Sequence, residues 1–105
     1  MRRASRIDDS HHAVVAALRA VGASVQSLAE VGNGCPDLLV GYHGEVWLLE
    51  IKDGSKSPSA RKLTPDQEAW HREWRGGHLS VVTSVDDALW VIGAEHYKAG
   101  RAHDA

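Results

Sequence analysis

Three charged side chains near the middle of the chain have the types and the spacing that could support chemistry. Asp37 opens one apolar segment, and Glu50 and Lys52 close the next one, with His43-Gly44 between the two segments. If His43-Gly44 is the two-residue loop of a β-hairpin, the register places Asp37 directly opposite Glu50. Alternation along a strand puts Glu50 and Lys52 on the same face. We therefore predict that two carboxylates and an amine meet at one end of a hairpin.

The convergence of these side chains suggests metal-assisted chemistry. Opposed carboxylates repel each other, and a divalent cation would relieve the repulsion because hard cations readily take carboxylate oxygens. Two alternatives without a function remain open: one carboxyl group carries a proton, or Lys52 neutralises the pair. The neighbouring segments favour a functional site, since a Gly-rich loop precedes Asp37 and a basic loop follows Lys52. This combination suits phosphodiester hydrolysis, in which Lys52 orients the attacking water or stabilises negative charge.

An α/β architecture with a mixed sheet is predicted to position these residues. Val14 and Leu18 share a helical spacing, and Thr64 and Gln67 form a capping-box pattern at a later helix start. The predicted order is a helix over 10–21, strands over 23–28, 37–42 and 45–52, a loop over 53–63, a helix from 64 to Gly76-Gly77, a strand over 79–82 and a short helix over 84–93. We predict a single domain over residues 1–93 and a frayed tail over 94–105.

Composition indicates an ordinary globular domain. The 105 residues are 43% hydrophobic and 25% charged, which argues against global disorder. Cys35 is the single cysteine, so a disulfide framework is excluded. The sequence has no apolar run long enough to span a membrane, and residues 1–6 are basic but lead into acidic residues instead of the apolar core of a secretory signal. We therefore expect a cytoplasmic protein without a membrane partner.

Three blocks of sequence carry a family resemblance. They are Gly34-Cys35-Pro36-Asp37-Leu38-Leu39-Val40-Gly41, Leu49-Glu50-Ile51-Lys52-Asp53-Gly54 and Leu63-Thr64-Pro65-Asp66-Gln67. In this order they resemble the VRR-NUC branch, the virus-type replication-repair nucleases, of the PD-(D/E)xK nuclease superfamily. The resemblance covers roughly residues 10 to 92. It implies a restriction-endonuclease-like core of αβββαβ order, followed by a short C-terminal helix.

The resemblance also implies roles for individual residues. Asp37 and Glu50 would ligate Mg²⁺ or Mn²⁺ together with the backbone carbonyl of Ile51. Lys52 would be the catalytic lysine, and Gln67 would lie near the site from the second helix. The implied activity is metal-dependent endonucleolytic hydrolysis of DNA, with Holliday junctions or other branched DNA as substrates. Small members of this kind are typically homodimers from phages and bacteria.

Two features support competing hypotheses. Members of this branch often carry a Glu on the first helix, whereas residues 10–21 contain no acid. That departure motivates a catalytically weak DNA-binding module on the same fold. The net charge of −2 motivates a metal-binding accessory protein with no nucleic-acid role, because DNA-binding surfaces are usually basic. Lys56, Arg61 and Lys62 form a local basic patch that either contacts phosphates or only solvates its loop.

Other side chains have structural interpretations that compete with functional ones. Gln67 completes the capping box, and we weigh that role equally with a role in the site. Trp70 and Trp74 lie four residues apart and are predicted to pack in the core. The seven His residues lack metal-ligand spacing backed by Cys, so isolated surface side chains are predicted. Cys35 is predicted to be a small buried thiol.

Overall fold

The order of helices and strands agrees with the predicted one. The protein is described by a computed structural model that covers residues 9–94. Its elements are α1 (Asp9–Ala20), β1 (Ser24–Ser27), β2 (Leu38–Tyr42), β3 (Glu45–Ile51), a 3₁₀ turn (Pro58–Arg61), α2 (Pro65–Glu73), β4 (Leu79–Val82) and α3 (Val85–Val91). The predicted α/β fold is therefore confirmed. Within residues 9–94, no helix has the length and apolarity needed to cross a bilayer.

The four strands form one mixed sheet in the order β1-β2-β3-β4. β1, β2 and β3 pair antiparallel, and β4 pairs parallel with β3. The chain between the parallel strands contains α2, as a parallel connection requires. β3 is an interior strand, with β2 on one side and β4 on the other.

The hairpin between β2 and β3 has the predicted register. Tyr42 pairs with Glu45, and the ladder continues to Leu38 opposite Leu49. His43 and Gly44 have φ values of 48° and 81°. A two-residue loop with both φ values positive is a type I′ turn, whose twist matches that of the strands it joins. This turn therefore fixes which side chains of β2 and β3 face each other.

The hydrophobic core lies on one face of the sheet, beneath α1 and α3. Its members are buried residues of these helices and of the inward positions of the strands, namely Val14, Leu18, Ala23, Leu38, Val40, Trp47, Leu49, Val82, Ala88, Leu89, Ile92 and Ala94. Leu49 and Ile51 of β3 point to this core. Because side chains alternate along a strand, Glu50 points to the opposite face. The candidate site therefore lies on the sheet face that α1 and α3 leave uncovered.

The second helix differs from the prediction in two respects. It ends at Glu73 and not at the glycine pair, with Trp74 as an extended C-cap whose indole donates to the Gly77 carbonyl at 2.8 Å. The prediction that Trp70 and Trp74 pack in the core is wrong, because neither belongs to the core cluster and Trp74 is 38% exposed. The two indoles stack on each other with centroids 5.1 Å apart. α2 contributes no buried residue, since it lies on the face away from the core.

The end of the described chain is anchored. Ala94 is fully buried, and its amide donates to the Leu89 carbonyl at 2.8 Å. Residues 95–105, which make up the rest of the predicted tail, lie outside the described residues.

Candidate active site

Asp37 lies at the entrance to β2, one residue before the regular ladder begins. Its amide donates to the Leu49 carbonyl at 3.0 Å, and its Oδ2 accepts the amide proton of Ile51 at 2.7 Å. The carboxylate therefore replaces a backbone acceptor at the end of the hairpin. This bond fixes the Asp37 side chain beside the end of β3, next to Glu50.

The Gly-rich loop before Asp37 is packed against the start of α2. Gly34 has φ +84°, and a Cβ atom at this position would collide with the backbone carbonyl of Asp66. Asn33 is also left-handed, with φ 57°. Only glycine permits this approach, because an L side chain would meet both the backbone strain and the collision. The loop thereby holds the first turn of α2 close to Asp37.

Glu50 is a buried carboxyl group. The residue is 2% exposed, and its Oε1 is buried without a hydrogen-bond donor when the group is ionised. Burial, followed by the negative charge of Asp37 and a hydrogen bond with Asp37, raises the pKa of Glu50 from 4.5 to about 8, and the charge of Lys52 only partly opposes this. Without a cation, Glu50 therefore holds a proton near neutral pH and can share it with Asp37.

Gln67 serves the helix cap and the site together. Thr64 and Gln67 form the predicted capping box, in which the Thr64 amide donates to Gln67 Oε1 at 2.9 Å. The same Oε1 accepts from Lys52 Nζ at 2.8 Å, and Gln67 Nε2 donates to Glu50 Oε2 at 3.1 Å. Gln67 therefore has both of the roles weighed from the sequence, in the capping box and in the site. Its amide has enough donors and acceptors for both.

Lys52 completes this polar group at the end of β3. Its side chain is 14% exposed, and Nζ lies 3.8 Å from Glu50 Oε2. Its amide is fixed by a 2.9 Å hydrogen bond to the Val82 carbonyl of β4. The structure therefore brings together Asp37, Glu50, Lys52 and Gln67 as predicted, from two strand ends and one helix start.

The donor set of this group fits a hard divalent cation. A buried carboxylate oxygen without a donor, beside a second carboxylate, is costly unless a proton or a cation compensates it. Within residues 9–94, no group of three or more His, Cys, Asp and Glu side chains converges on one point. A cation here would therefore need backbone and water oxygens in addition to Asp37 and Glu50. The carbonyl of Ile51, between Glu50 and Lys52, is suitably placed in the chain.

The basic loop begins and ends at the site. It leaves β3 at Lys52 and returns at Thr64, and both ends are bonded to the side chain of Gln67. Within the loop, Lys56 and Lys62 are exposed, whereas the Arg61 guanidinium donates to the Ser57 carbonyl at 3.4 Å. The sequence predicted an irregular loop, but Ser57 caps a short 3₁₀ turn with Pro58 in its first turn. Proline and a capping serine explain that turn.

Two further side chains lie close enough to the site to feel its charges. Burial and then the charge of Lys52 lower the pKa of His71 from 6.5. Burial, followed by Glu50 and Asp37, raises the pKa of the half-buried Cys35 thiol. The prediction of isolated surface histidines is wrong for His71 and for His11, which is buried on α1. The position of His71 one turn after Gln67 was the signal in the sequence.

Comparison with known proteins agrees with this geometry. A solved structure described as a VRR_NUC domain is 30% identical to this chain, superposes with a TM-score of 0.59, and is matched over 86% of this chain and 99% of its own length. No family model matches the chain, and no curated protein matches it. The identity and coverage show that the chain belongs to the VRR_NUC domain family, and its fold is that of a nuclease-like core. A nuclease-type function follows from this membership.

Proposed function

We propose that this chain is a metal-dependent DNA endonuclease that hydrolyses phosphodiester bonds at a site formed by Asp37, Glu50, Lys52 and Gln67. The observation that carries the proposal is the buried Glu50 carboxyl group. It has one oxygen without a donor, a carboxylate neighbour, and a lysine held by the same glutamine. A purely structural ion pair would not need the second carboxylate, which makes the group harder to ionise.

Asp37, Glu50 and the backbone carbonyl of Ile51 would hold Mg²⁺ or Mn²⁺. When bound, such a cation lowers the pKa of a ligated water and offsets negative charge that develops on the phosphate. The hydrogen bond from the Ile51 amide orients Asp37 for this task. The hydrogen bond from Gln67 Nε2 holds Glu50 Oε2, which leaves Oε1 as the free ligand atom.

Lys52 is proposed to act directly on the reacting phosphate. An ammonium group has three donors, and Gln67 Oε1 takes one of them at 2.8 Å. A remaining donor can bind a phosphate oxygen or orient the attacking water. Gln67 is itself held by the helix cap, so the ammonium is oriented before the substrate binds. Less conformational freedom of the Lys52 side chain is therefore lost on binding.

DNA is the proposed substrate, and branched DNA such as a Holliday junction is the proposed form of it. The loop carrying Lys56, Arg61 and Lys62 is tethered at the site by both ends, so its cations can contact phosphates beside the cut. We propose that the chain acts as a homodimer, because cutting both halves of a branched substrate needs two sites. A cytoplasmic protein of a bacterium or phage is the expected setting.

A specific observation favours a second candidate, the catalytically weak DNA-binding module. The start of α1 approaches the end of β3 across a cavity of about 120 Å³, lined by Ser10, Ala13 and Ile51 among others. The α1 residues that line this cavity are small or apolar, and they lie on the core face of the sheet. A module of this kind would bind DNA through the basic loop and cut it slowly, because Asp9, the one acid of α1, is exposed in the first turn and the helix packs on the sheet face opposite Glu50.

A cleavage assay separates the two candidates. The purified protein is incubated with a four-way junction, a flap and a linear duplex, each in Mg²⁺, Mn²⁺ or EDTA, and Lys52→Ala is run alongside to exclude a contaminating nuclease. Metal-dependent cutting with a preference for branched DNA, absent in the variant, supports the endonuclease. Salt-sensitive binding without cutting in any metal supports the module, and neither binding nor cutting contradicts both.

A further inference from the structure

His71 carries a buried nitrogen that the site described so far does not use. Its Nε2 is buried and has no hydrogen-bond partner. His71 lies four residues after Gln67 on α2, so the two side chains share a helix face. Through Gln67, this face of α2 contacts Lys52 and Glu50. The unsatisfied nitrogen therefore lies beside the polar group and not on a solvated surface.

Lys52, in turn, has more hydrogen-bond donors than acceptors around it. Its side chain is only 14% exposed, and its ammonium makes one hydrogen bond shorter than 3.5 Å with the described residues, to Gln67. Glu50 Oε2, at 3.8 Å, is an ion-pair partner beyond hydrogen-bond distance. An ammonium with three donors on a largely buried side chain is stabilised by a second acceptor. Lys52 bonds Gln67, which lies one helical turn before His71 on the same face of α2, so the histidine ring and the ammonium face the same polar group.

We propose that His71 is a positioning residue for Lys52, in which Nε2 accepts a hydrogen bond from a water that the ammonium holds. The neutral imidazole then carries its proton on Nδ1, because a ring N–H aimed at a cation would be repelled. With Gln67 and the water bonded to His71 as two acceptors, one donor of Lys52 is left for the substrate. The lowered pKa of His71 is consistent with a neutral ring at neutral pH.

The first test uses the metal-free protein without DNA. Long-range ¹H–¹⁵N NMR at about pH 7.5, above the pKa of a normal histidine, reports which ring nitrogen of each His carries the proton. We expect an unprotonated Nε2 at His71, and a shift of its resonance in Lys52→Met that the exposed His12 does not show. A proton on Nε2, or an identical resonance in both proteins, would overturn the proposal.

The second test rests on the proposed nuclease function and measures steady-state cleavage. His71→Leu removes the acceptor at similar volume, and His71→Gln offers an amide oxygen near the position of Nε2. We expect kcat to fall on the order of 10- to 100-fold in His71→Leu with KM little changed, and to recover most of that loss in His71→Gln. His12→Leu is the control for loss of a histidine elsewhere, and it should cleave as the parent does.

The two tests separate failure of this inference from failure of the proposed function. Equal rates for His71→Leu and His71→Gln in a protein that cuts would overturn the positioning role and leave the nuclease intact. If the parent does not cut DNA, the NMR result still decides whether Nε2 accepts a hydrogen bond from the water that Lys52 holds. Circular dichroism of both variants checks folding, and an unfolded His71→Leu leaves the NMR comparison as the deciding measurement.

Discussion

The raised pKa of Glu50 predicts an unusual pH dependence of stability in the metal-free protein. The folded protein holds the Glu50 proton with a pKa of about 8, compared with 4.5 for the ordinary group. Between these two values the folded state binds more protons than the unfolded state, so the free energy of unfolding decreases as pH rises. The contribution of Glu50 is complete below about pH 4.5 and is lost by about pH 8.

The size of the effect follows from the same two values. One group can change the free energy of unfolding by at most about 1.4 kcal/mol per pH unit, so a window of about 3.5 pH units sets an upper limit of about 5 kcal/mol. That is a large share of the 5–15 kcal/mol, roughly, that stabilises a typical domain. Glu50→Gln keeps the shape and removes the titration, so it should be more stable than the parent at pH 8 and should not show this decline.

Urea unfolding in EDTA at pH 5, 6, 7 and 8 measures this difference directly. Glu30→Gln, in an exposed loop, is the matched control and should follow the parent at every pH. Saturating Mg²⁺ should reduce the decline of the parent, because a cation replaces the proton between the carboxylates. Parallel curves for the parent and Glu50→Gln in EDTA would refute the reasoning that Glu50 is buried beside Asp37 without compensation.

Three further predictions concern the residues that hold the site. Asp37→Asn should leave metal-free stability unchanged or raised, because it removes carboxylate repulsion while Oδ1 can still accept from the Ile51 amide; strong destabilisation in EDTA, measured by urea unfolding, would mean that the carboxylate itself is structural. Gln67→Ala should lower both the cleavage rate and the free energy of unfolding, the latter by about 1 kcal/mol for the lost cap, and a change in only one of the two would contradict the double role. Gly34→Ala should cost roughly 1–3 kcal/mol in thermal or urea unfolding, whereas Gly77→Ala, with open space around its Cβ position, should cost less.

The sequence was sufficient to predict the order of the helices and strands and the register of the hairpin on which the site lies. A two-residue turn with Gly44 admits one register, and alternation then places Glu50 and Lys52 together. The capping pattern was sufficient for the start of α2. What the sequence did not show is that the ladder stops at Leu38, so that Asp37 contacts the backbone of Ile51 instead of completing a regular pair. That detail depends on how the preceding loop packs.

The position of α2 explains the remaining differences. Spacing along α2 groups Gln67, His71 and Trp74 on one face, but spacing does not say which surface that face covers. The core is complete with α1 and α3 on the other side of the sheet, so Trp70 and Trp74 stay outside it and Gln67 reaches Lys52 and Glu50. Long-range packing of Gly34 against Asp66, which no local pattern encodes, sets this position.

The central claim is that Asp37, Glu50 and Lys52 cut DNA and do not merely bind it. The most direct measurement is single-turnover cleavage of a four-way junction in Mg²⁺ by the parent and by Lys52→Ala, with binding of the same junction measured in EDTA. The account predicts that Lys52→Ala folds and binds DNA as the parent does but no longer cleaves it. Cleavage by Lys52→Ala at the parent rate would contradict the assigned site, and a parent that binds but never cuts would leave a DNA-binding module.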